Sequence, residues 1–96
     1  KKIKLPGYDG SENHVFHLFV VGVEDRVGFR AYLEANGVGS LIHYPIAPHQ
    51  QKAFNEFASL QFPVAEKIHR EVVSIPISPV MTSEQIDQVI SVLNNY

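Results

Sequence analysis

The chain has no cysteine, which excludes a disulfide frame, a thiol nucleophile and a thiolate metal site together. It has no long apolar run either: the longest, Leu18 to Val23, falls far short of the roughly 20 residues that a membrane span needs. Neither charge dominates, with 8 Lys and Arg against 10 Asp and Glu and a net charge of −2. Only Lys1, Lys2 and Lys4 cluster, and they lie at a terminus. Nucleic acid and anionic membrane surfaces are therefore not expected partners. There is no initiator Met and no signal-like apolar segment at the start, so the chain reads as a piece of something longer. The lack of cysteine fits a cytoplasmic protein. Internal repeats and low-complexity tracts are also missing.

What remains is an ordinary globular composition, 45% hydrophobic and 19% charged over 96 residues. That length supports one core, burying roughly 60–70% of the unfolded surface. Residues 1–13 carry Pro6, Gly7, Asp9, Gly10, Ser11 and Asn13, which is turn chemistry, and they read as a linker. His14 to Val23 is rich in β-branched and aromatic residues, apolar on both alternating faces, and predicts a strand covered on both sides. Asp25 to about Asn36 predicts a helix. Phe29, Tyr32 and Leu33 fall on one face at i, i+3 and i+4, and Gly37 sits at the C-terminal cap. Gly28 is out of place there, since glycine inside a helix costs up to about 1 kcal/mol against alanine.

Val38 to Tyr44 predicts a second strand, stopped by Pro45. Gln50 to Phe57 suits a short helix with Ala53, Phe54 and Phe57 on one face. A further helix is expected from Pro63 to about Glu71, with Ala65 and Ile68 inward. Val72 to Ile77 predicts a third strand bounded by prolines. The last helix is announced by the T-x-x-Q capping box of Thr82 and Gln85 and by an apolar stripe of Ile86, Val89, Ile90 and Leu93. Short strands alternating with helices predict an α+β fold, an α/β sandwich. Its expected form is a small three- to four-stranded, mainly antiparallel sheet with helices on one face.

The obvious carriers of chemistry are the five histidines. His14 and His17 are three apart, which on a strand sends them to opposite faces. His43 and His49 are joined by a proline-containing turn that holds no Asp or Glu, and a zinc site needs three or four ligands. His69 is expected on the exposed side of its helix. No serine lies in G-x-S-x-G. Gly37 and Gly39 give only G-x-G, without the third glycine of a phosphate cradle. Glu24 and Asp25 suit a helix N-terminus better than an acid/base couple. One segment stands apart: Leu41 to Gln50 (LIHYPIAPHQ) leaves a strand end, is stiffened by two prolines, and presents neutral hydrogen-bonding groups on planar bodies. It can form a wall for a polar, uncharged ligand such as a sugar. It also fits a stiff turn with Tyr44 packed in the core.

The strings GVGSLIHYPIAPHQQKAF (Gly37 to Phe54) and VAEKIHREVVSIPISPVMTSEQIDQVISVL (Val64 to Leu93) resemble the C-terminal part of the DegT/DnrJ/StrS family of PLP-dependent sugar aminotransferases. The family pattern runs from a His-Tyr-Pro loop through Pro-x-His and A-E-x-x-x-x-E-x-x-S-x-P-I-x-P to a final T-x-E helix. HVFHLFVV (His14 to Val21) and DRVGFRAYLEANGV (Asp25 to Val38) match the same family. The resemblance therefore covers nearly the whole chain. The IHYP-x-x-P-H form is most similar to enzymes that make 3-amino sugars on dTDP-linked hexoses.

The resemblance implies a part of an enzyme: residues 14–96 as the small C-terminal domain of a fold-type I aminotransferase. Such enzymes bind PLP in a large N-terminal domain that supplies the cofactor lysine, and none of the lysines here matches that context. The fragment alone is then expected to be inactive and to hold no cofactor. The parent would transfer an amino group, from glutamate, to a keto sugar on a nucleotide diphosphate, and would work as a cytoplasmic homodimer. By the same resemblance His43, Tyr44 and His49 are substrate-side residues, and no proton shuttle is assigned. Two other readings stand beside this one: a free-standing small-molecule-binding or regulatory α/β module, and an interaction domain whose first strand seeks a partner.

Overall fold

The computed structural model describes residues 2–96. Three strands form one antiparallel sheet in sequence order: β1 (Ile3–Lys4), β2 (Phe19–Val23) and β3 (Val72–Ile75). Ile3 lies opposite Val23, and Phe19 lies opposite Ile75. The helices are α1 (Arg26–Ala35), α2 (Pro63–Glu71) and α3 (Ser83–Asn94), with 3-10 turns at Pro48–Gln50 and Lys52–Phe57. None is long and apolar enough to cross a membrane.

Side-chain alternation assigns the two faces of the sheet. Val21, Val23, Val73 and Ile75 turn to the core, where Phe29 and Leu33 of α1 meet them, with Val38 closing the cluster. Val89, Val92 and Leu93 of α3 pack against the same cluster, together with Tyr32 and Tyr96. The Tyr32 hydroxyl donates to the Val92 carbonyl at 2.9 Å, tying α1 to α3. The opposite face of the sheet carries Val20, Gly22, Val72 and Ser74, by the same alternation.

Local chemistry explains the helix ends. Asp25 caps α1, its carboxylate accepting from Gly28 N–H at 2.9 Å. A Cβ at Gly28 would collide with that carboxylate, which accounts for glycine inside the helix. Gly37 has φ of 75° and stops the helix in the left-handed region. At α3 both halves of the Thr82–Gln85 capping box form.

The strands are shorter than their sequence patterns predict. Phe16 takes a left-handed φ of 46°, and its N–H bonds back to His14 Nδ1 at 2.8 Å, so the chain turns before Phe19. The strand expected over Val38 to Tyr44 reduces to one antiparallel bridge, Leu41 to Ser74. That bridge cannot propagate. The next pair on one side would need the N–H of Pro76, which proline lacks. On the other side the N–H of Val72 is already donated to Ile68 at the end of α2. Within residues 1–13, expected as a linker, Ile3 and Lys4 instead form the outer strand, and the expected helix at 50–57 is a kinked 3-10 segment.

Packing is also uneven along the chain. Ile68, expected inward, is 51% exposed, and Phe54, Phe57, Leu60, Phe62 and Val64 are exposed with it. Ile86 and Ile90 of α3 are likewise uncovered. The radius of gyration is 15.4 Å, against about 12–13 Å for a closed globule of this length. One side of the fold thus has a core and the other an unused apolar surface.

Candidate functional site

The loop from His43 to His49 leaves the Leu41 bridge and crosses to the start of α2. Five side-chain contacts place it. Arg30 of α1 grips Ser40, with Nε 3.0 Å from the Ser40 hydroxyl and Nη2 3.3 Å from its carbonyl, which sets the approach to Leu41. His43 then stands on the sheet, its Nδ1 2.8 Å from Ser74 Oγ. His69 of α2 donates from Nδ1 to the Tyr44 carbonyl at 2.6 Å, while Arg26 of α1 donates to the His69 carbonyl. Finally His49 is buried, with Nε2 3.0 Å from Glu66 Oε1.

This last contact is the anchor of the loop. Glu66 Oε1 also accepts the Phe62 N–H at 3.0 Å, so one carboxylate caps α2 and holds the loop. The Phe62 N–H and then the His49 ring hold the Glu66 carboxyl below its usual range. Phe62 meets the His49 ring edge to face at a centroid distance of 4.9 Å, and Ala47 between the prolines is fully buried.

The outer side of the loop is different. Tyr44 is 64% exposed, which excludes the reading that packs it in the core. Its ring lies edge-on to His43, at 5.4 Å and 89°, and the peptide bond between them is cis. His43 is half-buried. The three residues singled out from the sequence therefore divide: His43 and Tyr44 form a neighbouring pair reaching the surface, and His49 faces inward on Glu66. Two grooves are formed without the loop, one beside Arg26, Arg30 and Ser40, the other between α3 and β1.

Sequence reasoning missed the supports. Ser74 appeared only as one serine without a motif, and His69 was expected to face solvent. The signal for Ser74 was its alternation with Val73 and Ile75, which turns it to the face away from the core. Glu66 reaches the His49 ring and Arg26 the His69 carbonyl, both distant in sequence, and no spacing rule announces such contacts.

Among the described residues no lysine is enclosed as a pyridoxal Schiff base requires. Lys2, Lys4, Lys52 and Lys67 are all exposed. Lys2 lies on the Tyr96 ring and carbonyl, and Lys4 and Lys67 pair with Glu71. Among the described residues no group of three His, Asp or Glu side chains could hold a metal ion.

Residues 2–94 match the model of the DegT/DnrJ/EryC1/StrS aminotransferase family. Over 94 residues the chain is 49% identical to the dTDP-3-amino-3,6-dideoxy-alpha-D-galactopyranose transaminase of Aneurinibacillus thermoaerophilus, covering 98% of this chain and 26% of that protein. The fold is similar to DesV of S. venezuelae in complex with a ketimine intermediate, at a TM-score of 0.90 and 34% identity over 99% of this chain and 26% of that one. It is also similar to NtdA of Bacillus subtilis with bound cofactor PMP, at a TM-score of 0.84 and 37% identity over 98% of this chain and 22% of that one. The chain thus spans about a quarter of the length of the proteins it matches.

Proposed function

This chain belongs to the DegT/DnrJ/EryC1/StrS aminotransferase family, and from that membership we propose that it is the small C-terminal domain of a PLP-dependent transaminase acting on nucleotide-linked keto sugars. The match along nearly its whole length to a dTDP-amino-sugar transaminase carries this reading. The PMP held by NtdA supports a pyridoxal cofactor in the longer polypeptide. The exposed lysines of the described chain support placing the cofactor lysine outside it. No step of the amino transfer is assigned to residues here, and the fragment alone is inactive. The uncovered apolar surface on and before α2 supports a covering partner, such as the rest of the polypeptide.

In this reading the loop contributes one wall of the sugar site. Tyr44 and His43 offer planar, neutral hydrogen-bonding groups, suited to hydroxyls and ring faces of an uncharged sugar. His49 holds the loop through Glu66 and stays out of contact with the ligand. Glutamate is the amino donor, and the whole enzyme is a cytoplasmic homodimer.

The test compares two proteins. The 96-residue chain mixed with PLP gives no borohydride-trappable lysine adduct. The full-length polypeptide gives one, and with glutamate it aminates a dTDP-linked keto sugar. A stoichiometric adduct on a lysine of this chain would overturn the reading and favour a free-standing module with a site of its own.

A further inference from the structure

Ser74 is 6% exposed, and its main-chain N–H and carbonyl are both used by Leu41, at 2.8 and 3.0 Å. Its hydroxyl meets one polar partner among the described residues, His43 Nδ1 at 2.8 Å. Two proton arrangements are open to such a pair. If Nδ1–H donates to Oγ, the hydroxyl proton is left buried with no acceptor among the described residues. If the hydroxyl donates to the Nδ1 lone pair, nothing is left unpaired. Buried donors without acceptors are disfavoured, so the second arrangement wins.

We infer that Ser74 is a positioning residue that fixes His43 in the Nε2–H tautomer. The ring proton then lies on the edge away from the sheet, and His43 serves as a hydrogen-bond donor with no lone pair to offer. Tyr44 braces the ring edge-on, and His69 holds the Tyr44 carbonyl in place. The ligand group this donor fits is an acceptor oxygen: a sugar hydroxyl or carbonyl, or a phosphate. That use rests on the sugar-nucleotide reading above, whereas the tautomer does not.

The experiment is a long-range proton–nitrogen correlation spectrum of the chain labelled with nitrogen-15 histidine, at mildly alkaline pH where imidazoles are neutral. His43→Gln identifies the His43 signals by their loss. The expected pattern is a protonated Nε2 and an unprotonated Nδ1 for His43. His49, donating from Nε2 to Glu66, supplies a fixed reference with the same protonated nitrogen, and exposed His17 a freely exchanging one. Ser74→Ala shifts the His43 nitrogens toward the averaged values of His17 while leaving His49 unchanged. Ser74→Thr, which keeps the hydroxyl, retains the single tautomer. A protonated Nδ1 in the unaltered chain, or the same averaged nitrogens with and without the Ser74 hydroxyl, would overturn the inference. Failure of the full-length polypeptide to aminate keto-sugar nucleotides would instead sink the functional reading and leave the tautomer standing.

Discussion

Glu66 Oε1 lies 3.0 Å from both His49 Nε2 and the Phe62 amide nitrogen, so a single carboxylate oxygen joins the loop to the N-terminus of α2. Phe62 has no side chain able to cap the helix, and Pro63 brings no N–H of its own. The capping function falls to Glu66, one turn further on. Both contacts favour the ionised carboxylate, and this gives the pair a pH signature.

The folded carboxyl of Glu66 sits below its ordinary value of 4.5. The stability linked to that shift is fully present above about the ordinary value and is lost as pH falls through the folded pKa. Thermal melts of the chain between pH 6 and acid, about three units lower, should show Tm falling on the acid side. Glu66→Gln removes this group's share of the slope while keeping an acceptor oxygen at the same place. An unchanged slope in that variant would separate the acid response from Glu66. His49→Ala acts at every pH, because it empties a buried ring position, and should cost roughly 1–3 kcal/mol by urea unfolding.

Gly28 gives a prediction of opposite character. In an ordinary helix interior glycine to alanine stabilises by about 1 kcal/mol. Here the new Cβ displaces the Asp25 carboxylate from the Gly28 N–H, and loss of an N-cap costs about 0.5–2 kcal/mol. The two effects offset, so Gly28→Ala should leave the urea midpoint nearly unchanged or lower it. In an Asp25→Ala background the cap is already gone, and the same substitution should then stabilise by its ordinary amount. Equal gains in both backgrounds would refute the collision argument.

The contrast between these sites shows what a sequence can carry. Asp25, Gly37, Thr82 and Gln85 act within one helical turn of their partners, and their helices lie where the pattern puts them. Phe29 and Leu33 are inward as their spacing requires. Errors arise where a partner is remote. The apolar Val38 to Tyr44 segment looks like a strand, yet its ladder is stopped by Pro76 and by the committed N–H of Val72, both remote in sequence. Ile3 and Lys4 look like part of a linker until Val23 and Gly22 are placed beside them. The loop stood out in the sequence through its residue types, and the structure exposes Tyr44 on its outer side. The loop's supports, Ser74, Glu66 and His69, were not legible, because each contact is set by tertiary placement.

Uneven burial predicts uneven mutational cost. Phe29 is fully buried, and Phe29→Ala should cost about 3–5 kcal/mol, enough to unfold much of the chain. Ile68, half exposed, should change stability by no more than about 0.5 kcal/mol when truncated to alanine in the chain alone. In a full-length polypeptide that covers this surface the same Ile68→Ala change should cost more, on the order of 2 kcal/mol. Equal and small effects in both proteins would mean that the α2 surface stays open.

The outward pair supplies the functional prediction. The Tyr44 hydroxyl has no hydrogen-bond partner among the described residues, and the side chain is largely exposed, so Tyr44→Phe removes one group without disturbing the fold. If that group meets the sugar, kcat/KM of the full-length polypeptide should fall roughly 5- to 10-fold, about 1–1.4 kcal/mol, with the cofactor absorbance unaltered. His43→Ala does two things at once: it removes the proposed ligand donor and leaves the buried Ser74 hydroxyl without its partner. Its loss of activity should therefore come with a loss of stability of about 1–3 kcal/mol, which Tyr44→Phe does not show. Adding Ser74→Ala to His43→Ala separates the two, since the unpaired hydroxyl is then gone: stability should recover while kcat/KM stays low. Normal kinetics in both single variants would remove this loop from the substrate site and leave it a structural latch between β3 and α2.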